Sequence, residues 1–502
     1  MSEYLLKVTN ISKSFSGVQA LKNVSLTINP GEIRCLAGEN GCGKSTLIKI
    51  ISGFYTSDGG EIEINGKKFE NLNPIDSIHE GIQVIYQDFS IFPNLTVAEN
   101  IALNSELARN SRIINWKKVF KTAKEAMDKI NVKLDLKEKV ENLSVADKQL
   151  VAISRALVQN TKLIIMDEPT SALTQKEVKS LFEVIKDLQK KGMAILFVSH
   201  KLDEVFNISQ KITILRNGCN VIDGDTSDFD RTKFVYYMTG RQVEEEHFEF
   251  EVEEAKYLLK VENLCKKDGF KDISFELHEG EILGITGLLG SGRTELAMSL
   301  FGLNPADSGN IYIENKLTKI KSAQDAIKNK IGYVPEDRLT EGLFLEQSIG
   351  RNIIISIVEK LLSKFKFIDK FKINNEMDSR IQSLNIVTPS PSLPVKTLSG
   401  GNQQRVVLAK WLANNPKILI LNGPTVGVDI GSKIDIYKII RDLTQKGMGV
   451  IIISDDIPEV LHNCSTIFIM KKGKFVESVK NTSINEKELA EKLSDGGVAS
   501  NE

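Results

Sequence analysis

The stretch GENGCGKST, residues 38–46, sets Gly38, Gly41 and Gly43 around Asn40 and directly ahead of Lys44, Ser45 and Thr46. A short apolar run, IRCLA, precedes it, and a helical pattern, TLIKIIS, follows and stops at Gly53. Strand, glycine-rich turn and helix in that order build a phosphate cradle. The glycines let backbone N–H groups close on phosphate oxygens, and the helix presents its N-terminus to the same charge. Lys44 would reach the β- and γ-phosphates of a nucleotide, and Ser45 would ligate Mg²⁺. Further on, LIIMDEP reads as a buried strand with Asp167 emerging at its end, where it can hold Mg²⁺. Glu168 is then placed to orient or deprotonate an attacking water. An acidic pair capping the next helix is the alternative reading. AILFVSH is another buried strand and ends at His200, a candidate sensor of the γ-phosphate.

The elements that must position these groups are written twice. GLLGSGRTE, residues 287–295, follows its own apolar run, ILGIT. Gly287 follows Gly38 by 249 residues, and Arg293 follows Lys44 by the same distance. Ser399 follows Ser144 by 255 residues, as Asn422 follows Asp167. A duplication with one net six-residue insertion between the glycine loop and the Leu-Ser stretch accounts for both offsets. Two copies of this length are two domains rather than a solenoid. The expected boundaries are 1–243, an acidic linker over 244–258, and 259–502. In each half short β-branched runs alternate with longer helical patterns, which predicts an α/β fold with a mainly parallel sheet.

The chain has 502 residues, too many for a single hydrophobic core. Its apolar share of 41% and charged share of 26% are those of a soluble globular protein. A net charge of −1 gives no electrostatic pull toward nucleic acid or acidic lipid, so no nucleic-acid partner is expected. Five scattered cysteines (35, 42, 219, 265, 464) fit a reducing compartment better than a disulfide framework. The opening MSEYLLKVTN does not read as a signal peptide. No window has the ~18 apolar residues of a spanning helix, so any membrane work would need another chain.

The glycine loop, VIYQDF, LSVADKQ, LIIMDEP and SH in this order resemble the ABC ATPases. Two such domains in one chain, GVQAL near the start, and GRTE, YVPEDR and LSGGNQQ in the second half narrow the resemblance. It is to the fused ATP-binding subunit of bacterial sugar importers of the ribose, galactose and xylose type. The resemblance implies two P-loop domains, each with a mainly parallel sheet core, an antiparallel β subdomain and a helical subdomain. It implies ATP and Mg²⁺, membrane permease subunits (two of them) as partners, and an extracellular or periplasmic sugar-binding protein acting indirectly. The location would be the cytoplasmic face of the membrane. By the same resemblance Gln87 is the Q-loop glutamine, sensing Mg²⁺ and the γ-phosphate. Phe15 is the aromatic that stacks on adenine, with a core phenylalanine as the alternative.

ABC domains of this family pair head to tail, each ATP lying between one glycine loop and the other domain's signature. The first site would then combine Lys44, Ser45, Asp167, Glu168 and His200 with Ser399, Gly400, Gly401 and Gln403 of LSGGNQQ. The second would combine Gly287, Gly290, Gly292, Arg293, Thr294, Glu336, Asn422, Gly423 and Asp455 with Ser144 and the altered signature, where Val145 and Ala146 replace glycines. Every departure falls in the second site, which predicts one hydrolytic and one degenerate site. Arg293 for Lys44 exchanges a compact charge for a planar fork. Glu336 stands for Gln87, Asn422 and Gly423 for Asp167 and Glu168, and Asp455 for His200. No aromatic aligns with Phe15. Asp429, matching Thr174, is expected to be an acidic D-loop residue favouring the first site. Cys42, at a helix N-terminus, is expected to be a stabilised thiolate, or else a small buried residue. A soluble ABC protein acting on ribosomes is the alternative function. The short acidic linker, the missing second glutamate and the absence of a basic tail speak against it.

Overall fold

The computed structural model describes residues 4–15, 18–107, 114–171, 173–199, 201–242, 248, 250, 256–363 and 367–494. The chain divides into two compact units, Met1–Val243 and Glu244–Glu502.

In the first unit the strands are β1 (Leu6–Phe15), β2 (Val18–Ile28), β3 (Ile33–Ala37), β4 (Gly59–Ile64), β5 (Lys67–Phe69), β6 (Ile82–Ile85), β7 (Leu163–Asp167), β8 (Ala194–Val198), β9 (Lys211–Arg216) and β10 (Cys219–Asp225). They form an antiparallel sheet ordered β2-β1-β4-β5 and a six-stranded sheet ordered β10-β9-β3-β8-β7-β6. The larger sheet is parallel from β9 to β6, and only β10 runs the other way. All five residues of β3 and of β8 are buried. Strands covered on both faces need such continuous apolar runs. One face packs with helix Lys44–Ile51 and the antiparallel sheet through Leu47, Ile48 and Ile51. The other packs against helix Gln175–Lys190 through Phe182 and Ile185. Helices Val97–Leu107 and Trp116–Asp128 make a helical subdomain whose own core, with Ile101, Val119 and Ala123, also takes Val151 of helix Val145–Ala156.

The second unit repeats the plan with β11 (Tyr257–Lys266), β12 (Phe270–His278), β13 (Ile282–Thr286), β14 (Ser308–Ile313), β15 (Lys316–Thr318), β16 (Ile331–Val334), β17 (Ile418–Asn422), β18 (Gly449–Ile453), β19 (Thr466–Lys471) and β20 (Lys474–Lys480). Its sheets are ordered β12-β11-β14-β15 and β16-β17-β18-β13-β19-β20. β11 begins at Tyr257, inside the stretch read from sequence as linker.

In both units the glycine loop leaves the carboxyl end of a central strand, β3 or β13. Its neighbours β8 and β18 are reached by crossovers. Open α/β sheets bind ligands at this kind of switch point. Among the described residues no helix is long and apolar enough to cross a membrane.

Candidate nucleotide site

β3 ends at Ala37 and the chain turns at Gly38, with φ of 151°. A Cβ there would lie 2.4 Å from the Leu215 carbonyl oxygen, so only glycine fits. The turn closes on Gly43, which caps helix Lys44–Ile51 with φ of 107°. Lys44 is 6% exposed, and its Nζ donates to the carbonyls of Gly38 at 2.7 Å and Glu39 at 2.9 Å. The ammonium is thus held by the carbonyls of the loop. Asn40, Gly41 and Ser45 are exposed at the crest, and Thr46 is half-buried.

Asp167 closes β7, near the Ser45 hydroxyl. Burial, and then the charge of Glu168, push the Asp167 carboxyl above its ordinary range; Lys44 and Lys49 oppose this only in part. A half-buried acid beside a second acid wants a cation. Among the described residues no group of three or more His, Cys, Asp or Glu could hold a metal by itself. A carboxylate, a hydroxyl and the nearby end of β6 suit Mg²⁺, which keeps water and takes phosphate oxygens for its remaining positions. Gln87 lies two residues beyond β6 and is exposed.

Glu168 has φ of 47°, a left-handed conformation rare for a non-glycine residue. Its N–H donates to Val198 O at 3.1 Å, which ties the turn after β7 to the end of β8. His200 lies outside the described residues. Before it, the Ser199 hydroxyl donates to buried Glu204 at 2.7 Å. Phe15 is 38% exposed, meets Tyr55 edge-to-face at 5.1 Å and has Lys13 Nζ 5.6 Å from its ring centre. It is a surface aromatic, not a core residue.

For Cys42 the buried-residue reading holds. Cys42 is 5% exposed, and burial pushes its thiol up; the charge of Lys44 opposes this with smaller effect. The helix-terminus rule loses because the sulfur points inward under the loop. Asp429 caps helix Ile430–Thr444, accepting from Ser432 N at 2.9 Å and Ser432 Oγ at 3.0 Å. Thr174 caps the matching helix with a full capping box to Glu177. Both residues therefore have a local task that the motif comparison did not reveal.

The second unit keeps the loop and changes its contents. Gly292 caps helix Arg293–Phe301 with φ of 100°, and Gly290 also lies in the left-handed region. A Cβ at Gly287 would lie 2.5 Å from Met470 O. Leu288 and Leu289, where the first loop has Glu39 and Asn40, are 58% and 89% exposed. Arg293 is 5% exposed, pairs with Asp455 at 3.2 Å through Nη2, and leaves Nη1 without a partner. Thr294 and Glu336 are half-buried beside it in sequence and at the end of β16 respectively. Asn422 is 2% exposed at the end of β17, and Gly423, with φ of 57°, donates to Ile453 O at 2.8 Å. The backbone of the first unit's acidic turn is thus reproduced without its acids.

The signatures also differ beyond their glycines. Ser144 and Ser399 each cap their helix, accepting from Asp147 N and Asn402 N. Asp147 further bonds Ser144 Oγ at 2.8 Å, so a carboxylate occupies the helix N-terminus where phosphate charge would otherwise be welcome. The Ser-x-x-Asp spacing signals this cap in the sequence. In the second unit Gly401 is pressed against Ser432 and Gln403 is 8% exposed.

A glycine loop over a buried lysine, with an aspartate and a glutamate at the end of β7, marks the first unit as a P-loop nucleoside triphosphatase domain; the second unit repeats its fold and glycine loop but not the lysine or the two acids. The family model described as ABC transporter matches residues 21–171 and 270–426. The chain belongs to the ABC transporter family and is an ATP-binding ATPase of it, with two such domains in tandem. Its relatives run over nearly its full length. It is 40% identical over 488 residues to the ribose import ATP-binding protein RbsA of Caldanaerobacter subterraneus subsp. tengcongensis, covering 97% of this chain and 98% of the relative. It is 42% identical over 489 residues to the RbsA of Clostridium perfringens strain SM101, with 97% of each covered. With the RbsA of Bacillus subtilis it shares 39% over 469 residues, 93% of this chain and 95% of the relative.

Proposed function

We propose that the chain is the ATP-hydrolysing, energy-coupling subunit of an importer for a monosaccharide or a related polyol or nucleoside, with ribose the first candidate. The observation that carries this reading is similarity to ribose import ATP-binding proteins across 97% of the chain, both domains included. It would act at the cytoplasmic face of the membrane with two permease subunits, a binding protein outside delivering the sugar. Phe92 and Phe344 support a permease contact. Each follows the loop after β6 or β16, is exposed, and has its N–H held at 2.8 Å by a buried asparagine, Asn100 or Asn352. An aromatic ring so anchored is presented to a partner at little entropic cost.

The ATP phosphates would lie in Gly38–Thr46 and the adenine on Phe15. Lys44 would exchange its two carbonyl partners for phosphate oxygens. Mg²⁺, held by Ser45, Asp167 and Gln87, would neutralise charge on the β- and γ-oxygens. Glu168 would orient the water and take its proton as the water oxygen bonds to the γ-phosphorus. The bond to the β–γ bridging oxygen breaks, leaving ADP and phosphate. His200 would contact the γ-phosphate.

Hydrolysis would be confined to the nucleotide of the first domain. Ser399, Gly400 and Gly401 would serve it through the family's head-to-tail pairing. In the second domain Asn422 and Gly423 offer no carboxylate, and Arg293 is engaged by Asp455. The test is steady-state ATPase of the complex with its membrane subunits, wild type against Glu168→Gln. Near-complete loss is expected. Retention of about half the activity would mean that the second domain hydrolyses ATP, because a lost general base typically costs ~10² to 10⁴ in rate.

A further inference from the structure

The loop after β16 reads PEDR, and its Arg338 has no counterpart in the first domain, where Phe89 stands at the aligned position. The half-buried guanidinium touches one turn and one helix. Nη1 donates to Val426 O at 2.7 Å and Nη2 to Gly427 O at 3.1 Å, both in the turn that leads to Asp429. Nε reaches Gln403 Oε1 at 3.4 Å in the signature helix Gly400–Leu412. Gly400 lies so close that a Cβ there would sit 2.8 Å from Nη2. Asp337 braces the turn Arg338–Gly342 by accepting from Leu339 N and Thr340 N. A planar fork with five fixed donors suits a bridge in three directions, which a lysine ammonium cannot reproduce.

The first domain holds its equivalent loop differently. Arg155, near the far end of helix Val145–Ala156, donates to Phe89 O at 2.9 Å and Ser90 O at 2.6 Å. Lys410 matches Arg155 and donates to Gly342 O at 2.5 Å. Both domains therefore tie the loop to the back of the signature helix. The guanidinium that also reaches the front, where the signature glycines are, belongs to the domain whose signature is complete.

We propose that Arg338 is a positioning residue that keeps the signature Ser399–Gly401 and the turn before Asp429 in register with the loop after β16, so that displacement of this loop alters ATP turnover. This rests on the reading that the second domain's signature serves the hydrolysed nucleotide. Arg338 itself need touch neither ATP nor water.

The complex with its membrane subunits is assembled in lipid with Arg338→Ala and Arg338→Lys. Steady-state kcat and KM for ATP are measured, together with nucleotide affinity in a Glu168→Gln background. Arg338→Ala should lower kcat at least about tenfold while KM and affinity stay within about threefold, the pattern of an interaction used only at turnover. A smaller fall in kcat, or an equal loss of nucleotide binding, overturns the proposal. If Arg338→Ala does not fold, Arg338→Lys carries the test. It must lower kcat by at least about threefold at unchanged melting temperature, or the proposal fails. Glu168→Gln separates the two levels. If it keeps half the activity, the one-site reading is wrong; if it abolishes turnover while the Arg338 variants are normal, only the bridge is wrong.

Discussion

Replacing Glu168 by glycine should abolish ATP hydrolysis and yet stabilise the first domain. Glu168 sits at φ of 47°, and Gly423, the matching residue of the second domain, sits at 57°. The left-handed region costs a residue with a Cβ about 1–2 kcal/mol. Glycine escapes that cost but gives up roughly 0.5–1 kcal/mol of extra chain entropy on folding. The balance favours Glu168→Gly over Glu168→Gln by about 0.75 kcal/mol at the centre of a range from about 0 to 1.5 kcal/mol. Comparing these two variants isolates the backbone, because both remove the charge beside Asp167. For a domain of this size the difference corresponds to roughly 1–4 °C in melting temperature. The assay is thermal unfolding of the full chain without nucleotide, followed by ATPase of the same samples. If Glu168→Gly melts at or below Glu168→Gln, the left-handed turn is not strained and the reasoning fails. The reverse exchange has a sign of its own. A Cβ at Gly423 would lie 2.9 Å from Val426 Cγ2 and 3.1 Å from Glu336 Cγ, so Gly423→Glu should lower stability without restoring a second active site.

Cys42 should react with maleimide more slowly than the half-buried Cys219 and Cys265, read by mass spectrometry of the intact chain; equal rates would contradict its burial. Lys410 is buried without a carboxylate, and burial pushes it down to about 8 from 10.5. Between those values the unfolded chain holds a proton that the folded one lacks, so this residue's contribution to stability is lowest below about pH 8 and rises with pH across that window. The melting temperature of wild type relative to Lys410→Met should therefore increase from about pH 7.5 to 10, and a flat difference would refute the assignment. Gly401→Ala would place a Cβ 2.1 Å from Ser432 Oγ and should cost about 1–3 kcal/mol as well as ATPase activity, whereas Ala146→Gly should leave turnover within about twofold.

Much of the site was legible because its parts are local. Gly38 to Ser45 and Asp167–Glu168 each lie on one short segment whose residue types state the chemistry. The six-stranded sheet brings their strand ends together. What the sequence hid depends on adjacency between segments. Arg293 and Asp455 were both recognised as departures, but their ion pair follows only once β13 and β18 are known to be parallel neighbours. Arg338 lies in a motif that marks the family branch, and nothing in PEDR says that it reaches Val426, Gly427 and Gln403. The thiolate reading of Cys42 failed for a different reason: the rule applied, a helix N-terminus favouring a thiolate, was outweighed by burial.

The paired turns explain why a chain keeps a second copy of the strand and loop while losing its acids. Glu168 N bonds Val198 O, and Gly423 N bonds Ile453 O, so in each domain the turn after one strand is stitched to the end of its parallel neighbour. That stitch needs a left-handed residue whether or not ATP is cleaved. Under the proposed one-site reading, glutamate carries the strain where a carboxylate would meet water, and glycine makes the same turn without strain where none is needed. Asn422 is 2% exposed in the place of Asp167. An amide there avoids burying a second negative charge beside Glu336 and can still hydrogen-bond. On that reading the second domain has kept what the sheet requires and dropped what only the proposed chemistry required. Its own signature and Arg338 are intact because their use lies in turnover of the other domain's nucleotide under the proposed pairing.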